Sequence, residues 1–177
     1  NEVPRSATST EILLAIEGRI SDAWTIAGLV QPNLDSGQNE RFNVAARYTP
    51  SPGRALFASY RYTRQLVNPT GEGSEIQQID LAAQWPVNAQ WTLLGRYNYS
   101  IGDRKVLEAV AGVEYNGDCW TLRAVLHRLA TTVDQTNTSF FIQLELNGLA
   151  RVGTSPLDLL RRSVPGYVSA NDPSLRQ

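Results

Sequence analysis

Several residue types that commonly carry chemistry are scarce in this chain. It has one cysteine and one histidine in 177 residues, so it cannot form a disulfide within itself, and a Cys/His zinc site is not expected. Its 16 basic and 17 acidic residues give a net charge of −1, which leaves no basic excess for binding nucleic acid. No apolar run approaches the length of about 18 residues that would predict a transmembrane helix.

The chain also lacks the features of a complete precursor. Residues 1–10 are polar and methionine is absent throughout, so we expect a mature segment or an excised fragment. Hydrophobic residues make up 42% of the sequence, which with the 13 glycines is an ordinary globular share. Charged residues make up 19%, below the usual share of about 25%.

What the sequence has instead is an alternation of apolar and polar residues along most of its length. In 91–100, for example, Leu93 and Tyr97 share one side while Arg96 and Asn98 share the other. A helix would repeat apolar residues at i, i+3 and i+4, so the pattern predicts β-strands. Nine such segments occur, at 11–20, 24–31, 41–48, 55–66, 77–85, 91–100, 106–115, 119–128 and 139–147. Each has about 8–12 residues, the length of a strand that crosses a bilayer.

The connections between these segments alternate in length. Short ones lie near 21–22, 50–53, 86–89 and 116–118, and longer ones at 32–38, 67–74, 101–105 and 130–137. Outer-membrane barrels have short periplasmic turns and longer extracellular loops. The predicted fold is therefore all-β, an antiparallel up-and-down meander of about nine transmembrane strands that forms part of an outer-membrane β-barrel over residues 1–149.

Aromatic residues on the apolar side sort by strand end. Trp24, Tyr48, Trp85, Trp91 and Trp120 lie close to short turns, and Tyr60, Tyr62, Tyr97 and Tyr99 lie toward the long-loop ends. Such rings prefer the bilayer interface, where the N–H or O–H stays in contact with water. Two belts around an aliphatic band favour a membrane barrel over a soluble sandwich, whose core aromatics would not sort in this way.

The polar side carries charges of both signs and is predicted to line a hydrated lumen. Its main members are Arg61, Asp80, Arg96, Glu108, Glu114, Arg123 and Glu145. Neighbouring strands are expected to place Arg96 near Asp80 or Glu108. They are also expected to place Arg61 near Asp80, and Arg123 between Glu114 and Glu145. Facing opposite charges support strand pairing and register by about 0.2–1 kcal/mol a pair.

A catalytic interpretation has little to build on, so no catalytic residue is assigned and an enzyme is not predicted. His127 is the only histidine, and it lies mid-strand on the polar side. No G-x-S-x-G nucleophile motif and no phosphate-binding loop are present. Three alternatives stay open: an outer-membrane enzyme of the protease or lipase type, another barrel such as a porin or receptor, and a soluble ligand-binding β-barrel. The soluble barrel would need polar residues at the belt positions.

Residues 150–177 break the alternation and are predicted to form a C-terminal tail with a short helical turn. Leu157, Leu160 and Val164 follow Ser155-Pro156 at spacings that fit one or two turns of helix, and Pro165-Gly166 ends it.

Three stretches together resemble the C-terminal barrel portion of the LptD family, the lipopolysaccharide-assembly proteins. They are Gly117-Asp118-Cys119-Trp120 with Leu122-Arg123-Ala124, the run FFIQLELNGL at 140–149, and SPLDLLRRSVPGY at 155–167. Each is weak alone, but their order at the end of a strand array is fairly specific. The resemblance covers residues 9–167, although the segments before 116 carry no sharp motif.

The resemblance implies a large barrel of about 26 strands in the outer membrane of a Gram-negative bacterium. Its implied function is to transport lipopolysaccharide and insert it into the outer leaflet through a lateral gate between the first and last strands. Its implied partners are lipopolysaccharide, an LptE-type lipoprotein that plugs the lumen, a periplasmic lipopolysaccharide bridge reached through an N-terminal domain, and the barrel-assembly machinery. No cofactor or metal is implied.

Two candidate sites come with the resemblance. Family members usually have two adjacent cysteines at the turn matched by Asp118-Cys119, each bonded to a cysteine far upstream. Only the second is kept, so Cys119 is the candidate for one interdomain disulfide. The last strand matches the signal read by the assembly machinery and forms one edge of the gate. Its residues are Phe140, Phe141, Ile142, Leu144, Leu146, Gly148 and Leu149.

The strand count indicates an open edge. Nine is odd, whereas single-chain bacterial barrels normally have an even number of strands, so the barrel is incomplete or the count is off by one. An open edge cannot persist in lipid, because each unpaired backbone group costs several kcal/mol. We therefore expect a closing strand from elsewhere, and a weakly paired seam between first and last strands as the natural place for a gate.

Overall fold

One antiparallel sheet dominates the computed structural model, which describes residues 12–33, 38–64, 75–131, 135–146, 150–169 and 172. Within these ranges ten strands follow one another in sequence order, and one helix follows them. The strands are β1 Leu14–Arg19, β2 Trp24–Asn33, β3 Gln38–Ser51, β4 Arg54–Arg64, β5 Glu75–Pro86, β6 Trp91–Ser100, β7 Lys105–Asn116, β8 Trp120–Ala130, β9 Thr136–Leu146 and β10 Ala150–Gly153. The helix is α1, Leu157–Ser163. Among the described residues, no helix has the length and apolar character needed to span a membrane.

Each strand pairs with the next, which confirms the all-β, up-and-down meander. In β6, Leu93 lies opposite Trp85 on one side and Val113 on the other. Because side chains alternate between the two faces of a strand, this register gathers the apolar residues on one surface. We call that surface the apolar face, represented by Leu81, Leu93, Leu126 and Ile142, and the opposite surface the polar face.

The two ends of the sheet differ in their connections. Residues 20–23, 52–53, 87–90 and 117–119 join strands at one end, which we call the short-turn end. The ends of β2, β4, β6 and β8 and the starts of β3, β5, β7 and β9 lie together at the opposite end, which we call the long-loop end. The contrast in length is smaller than predicted, because β3 begins at Gln38 and β7 at Lys105, so paired backbone takes up residues that alternation alone assigned to loops.

The structure adds a tenth strand to the nine that alternation predicts. β10 pairs antiparallel with β9, from Ala150 opposite Leu146 to Gly153 opposite Gln143. It lies in the stretch predicted to be tail, because four residues are too few to show a period of two. The short helix predicted after Ser155-Pro156 is present as α1. Asp158 in its first turn and Arg161 and Arg162 in its last turn suit the helix dipole.

Burial is distributed in the opposite way to a water-soluble sheet. Large apolar side chains on the apolar face are exposed, including Leu93 at 48%, Leu126 at 47% and Phe140 at 65%. Polar side chains on the other face are buried, including Gln84 at 1% and Glu114 at 0%. Contiguous apolar patches are uncommon on monomeric proteins in water, and this arrangement suits a sheet that presents one face to an apolar phase.

The small apolar core lies on the polar face, under the helix. Leu94, Val110 and Val125 from three neighbouring strands pack with Leu160 of α1. Phe141 and Tyr167 lie against the same cluster. Burying these side chains fixes α1 against the sheet, since each fully buried aliphatic side chain contributes about 1.5–3 kcal/mol.

Candidate functional site

The polar face carries two groups of ion pairs, and the first is centred on Arg96. Its guanidinium contacts Asp80 twice, with Nε 2.9 Å from Oδ1 and Nη2 2.8 Å from Oδ2. Nη1 lies 2.8 Å from Oε2 of Glu108. The central position of Arg96 on β6, between β5 and β7, brings it to both carboxylates. Arg61 lies opposite Gln78, two residue pairs along from Asp80, which itself lies opposite Ser59.

His127 belongs to this same group. Its Nε2 lies 2.9 Å from Oε1 of Glu108, whose other oxygen accepts from Arg96. The imidazole is therefore held by a carboxylate that is already part of an ion-pair row across β5, β6, β7 and β8. This geometry explains the histidine as a member of the charged polar face without a catalytic role.

The second group is centred on Arg123, whose side chain is fully buried. Nε donates to Glu114 at 2.9 Å, and Nη1 donates to Glu145 at 2.6 Å. Nη1 also lies 3.4 Å from Oε1 of Gln143. The register places Arg123 directly opposite Glu114 on β7 and Gln143 on β9, so pairing across three strands assembles the group.

The C-terminal tail covers this second group. Ser169 accepts from Nη2 of Arg123 at 2.6 Å, and the hydroxyl of Tyr167 donates to Glu114. Burial, and after it the charge of Glu114, raises the pKa of Tyr167, so the phenol stays protonated as a donor. Gln84 binds the backbone of Val168 twice, donating at 2.6 Å and accepting at 2.9 Å.

Aromatic residues form contacts on the apolar face, mainly near the short-turn end. The rings of Trp24 and Tyr48 are 4.7 Å apart between centroids. Tyr115 lies 4.9 Å from Trp91 and 5.0 Å from Trp120, making a continuous patch across β6, β7 and β8. At the same end, Arg54 stacks over Trp85 at 5.5 Å.

Toward the long-loop end, the ring contacts on the apolar face are made by tyrosines and Phe42. Tyr97 stacks on Tyr99 with centroids 6.2 Å apart, and Phe42 lies 6.3 Å from Tyr60. The hydroxyl of Tyr62 donates to Glu75 at 3.2 Å. Tyr115 and Phe42, which the sequence analysis does not include in the belts, lie beside these residues; the two interfacial belts themselves stay a prediction.

The terminal strand β9 presents Phe140, Ile142, Leu144 and Leu146 on the apolar face, whereas Phe141 turns to the core below α1. The edge beside Leu144 and Leu146 is occupied by β10, so these two residues do not face an open seam. Gly148 and Leu149, the remaining members of the expected terminal signal, lie outside the described residues.

Cys119 is exposed in the turn between β7 and β8, at the short-turn end. Asp118 before it adopts a positive φ of 59°, and Gly117 leaves room for the Trp120 ring, since a Cβ there would lie 2.6 Å from it. The turn thus leaves the thiol of Cys119 exposed, next in sequence to Trp120 of the aromatic patch.

Sequence reasoning missed the uncharged partners of the buried charges. Gln84, Gln143 and Ser169 bind the tail or Arg123, and the sequence pattern assigns none of them a role. Alternation did place Gln84 and Gln143 on the polar face. Nothing in the local pattern indicates that residues 167–169 return to that face, because the contact joins positions 84 residues apart.

Comparison with known proteins identifies the family. The family model described as "LptD: LPS transport system D" matches residues 1–91, which is 91 of the 177 residues. The chain belongs to the LptD family. Among curated relatives, the LPS-assembly protein LptD of Thiobacillus denitrificans is 44% identical over 169 residues, covering 96% of this chain and 22% of that protein.

Other LptD relatives agree along nearly the whole chain. The protein of Azoarcus sp. is 42% identical over 98% of this chain and 21% of its own length. That of Chromobacterium violaceum is 40% identical over 93% of this chain and 21% of its length. The chain thus spans about a fifth of the curated relatives it matches. These relatives are named as assembly proteins rather than enzymes, in agreement with the absence of a predicted catalytic site.

Proposed function

We propose that this chain is the C-terminal part of an outer-membrane barrel that delivers lipopolysaccharide to the outer leaflet of a Gram-negative bacterium. The observation that carries the proposal is the inverted burial of the sheet: exposed aliphatic and aromatic residues on one face, and buried ion pairs on the other. That distribution suits lipid outside and a polar lumen inside. Membership of the LptD family supplies the substrate, because the relatives are named for lipopolysaccharide assembly.

The polar and apolar faces of the sheet suit the polar and apolar parts of the substrate. Lipopolysaccharide joins apolar acyl chains to a charged saccharide, and a wet, charged lumen accommodates the saccharide. The acyl chains need an apolar route, which a seam in the barrel wall provides. The seam lies between β9 and the first strand of the barrel, because an edge in lipid must be paired and, among the described residues, no strand other than β8 lies beside β9 before residue 143.

The partners follow from the same role. A periplasmic bridge supplies lipopolysaccharide to a domain N-terminal to the barrel, and Cys119 ties the barrel to that domain through a disulfide. An LptE-type lipoprotein occupies the lumen and contacts the polar face. The barrel-assembly machinery binds β9 during insertion.

Depletion of the full-length protein tests the function directly. Cells depleted of it should carry less newly made lipopolysaccharide that reacts with an impermeant surface label, while total lipopolysaccharide persists inside. Re-expression of the wild-type protein should restore the surface signal. Unchanged surface labelling during depletion would overturn the proposal.

A further inference from the structure

The edge of the terminal strand β9 is divided into two halves that differ in their neighbours. Over residues 143–146 the edge is hydrogen-bonded to β10, which folds back as a hairpin. Over residues 136–142 no strand lies beside this edge within the part of the chain that the structure describes. The covered half is the one at the short-turn end, because Leu146 lies opposite Trp120.

The hairpin ends at a position that only glycine fits. Gly153 has a φ of +102°, and a Cβ there would lie 2.4 Å from the carbonyl oxygen of Ile142. An L side chain is strained at such a φ and would also collide with the backbone of β9. The chain therefore turns away from the sheet edge beside Ile142, in a backbone conformation that requires glycine at position 153. This turn sets the length of the covered half of β9.

The residues after Gly153 anchor the hairpin on the polar face. Leu160 of α1 is fully buried against Leu94, Val110 and Val125. Beyond the helix, Val168 is bound twice by Gln84. Ser169 accepts a hydrogen bond from the buried Arg123. β10 thus lies between β9 and a tail that is held by strands β5 to β9. Detaching β10 from β9 would break several of the tail's contacts at the same time.

The uncovered half of β9 has the chemistry of a membrane seam. Phe140 and Ile142 are 65% and 51% exposed on the apolar face, so this part of the edge lies against lipid. Unpaired backbone groups there cost several kcal/mol each and require a partner strand. The curated relatives are about five times the length of this chain, which gives the partner a source in the upstream part of the same protein.

We propose that residues 150–169, the C-terminal clasp, permanently close the short-turn half of β9 and confine the barrel seam to residues 136–142. An upstream strand of the same full-length chain pairs with β9 along those residues and not along 143–146. This rests on the proposed function in that β9 is the strand at which the barrel closes. Because short turns of such barrels are periplasmic, the seam then opens at the level of the outer leaflet, where the lipid is delivered.

Photo-crosslinking in the full-length protein, in its own membrane, maps the two halves. A photoreactive residue in place of Phe140 should cross-link to an upstream strand of the same chain. The same residue in place of Leu144 should cross-link to residues 150–153, which mass spectrometry of the digested product identifies. Cross-linking of the Leu144 position to an upstream strand, or of the Phe140 position to a second protein molecule, would overturn the proposal.

A disulfide between the C-terminal clasp and β9 tests whether β10 stays paired with β9 during lipid delivery. Val152 lies opposite Leu144, so the pair Leu144→Cys and Val152→Cys should lock the hairpin. The matched control is Ala111→Cys with Leu126→Cys, which locks β7 to β8 at directly opposed positions away from the seam. Both locked proteins should deliver surface lipopolysaccharide at the wild-type level.

A loss of delivery in the clasp-locked protein alone would show that β10 must detach, and would overturn the proposal. The cross-link map does not depend on lipid transport. Failure of the proposed function would therefore appear in the depletion experiment, separately from failure of the clasp.

Discussion

Arg123 has no exposed side-chain surface, yet it carries a charge in the middle of the sheet. It is tolerated there because Glu114 and Glu145 both accept from its guanidinium and Ser169 accepts from its remaining nitrogen. Removing ions from water is costly, so the pairing offsets a penalty and the net gain in stability is small. The arrangement does fix which strands lie side by side, and it draws the tail onto the sheet.

The substitution Arg123→Gln should destabilise the protein by about 3–5 kcal/mol, because it leaves two buried carboxylates without their counter-charge. Denaturant unfolding of the purified full-length protein in detergent measures the change. The control is Arg128→Gln on the same strand, where the side chain is exposed and unfolding should be unaltered. An equal effect of both substitutions would contradict the role given to the buried group.

Strands are the elements that the sequence predicts best. Nine of them follow from alternation, because a sheet with one apolar face needs a period of two over its full length. β10 was missed because Ala150–Gly153 is too short for a period to appear, and its position depends on the neighbouring edge of β9. The helix was predicted from Leu157, Leu160 and the prolines around them, but its docking site was not, since Leu94, Val110 and Val125 are distant in sequence.

Replacing Gly153 with alanine tests the hairpin. The new Cβ would meet the Ile142 carbonyl at 2.4 Å, and the residue would be held at a positive φ that costs about 1–3 kcal/mol. We expect faster hydrogen exchange of the amides of residues 143–146. Gly95→Ala is the control, because its nearest neighbour lies at an ordinary 3.8 Å and exchange in β9 should be unchanged. Wild-type protection in Gly153→Ala would count against the hairpin.

A charge on the apolar face tests the orientation of β6. Leu93 is 48% exposed and lies between the belts, so Leu93→Arg should impair folding into bilayers by about 1–4 kcal/mol, depending on depth. Leu93→Ala keeps the position apolar and should fold nearly as the wild type does. The measurement is the folded fraction after refolding of the full-length protein into lipid vesicles. A sheet that faces water would tolerate both changes equally.

For the molecule as a whole, the alternation of apolar and polar residues carried most of the information about the fold. Residues such as Leu93 and Arg96 could be assigned to opposite faces from the sequence, and the face with the polar residues proved to be the buried one. The family was suggested by motifs between 117 and 167, whereas the family model matches residues 1–91, which lack sharp motifs. The relatives join both parts, because they align over nearly the entire chain.

Long-range contacts set the limit of the sequence-based prediction. The alternation along a strand predicts which face of the sheet a residue occupies, but it does not predict which distant segment covers that residue. The contact between Gln84 and Val168 therefore required the structure. So did the closure of half of the β9 edge, which depends on the path of the chain after residue 149.

The central claim is that the apolar face lies against lipid while the polar face lines a wet interior. Ala58 and Ser59 are adjacent on β4 and point to opposite faces. Fluorescent probes attached at Ala58→Cys and at Ser59→Cys, each in the full-length protein in bilayers, test it most directly. The account predicts that a lipid-borne quencher quenches the Ala58 probe and a water-soluble quencher the Ser59 probe. Quenching of the Ala58 probe by the water-soluble reagent alone would contradict it.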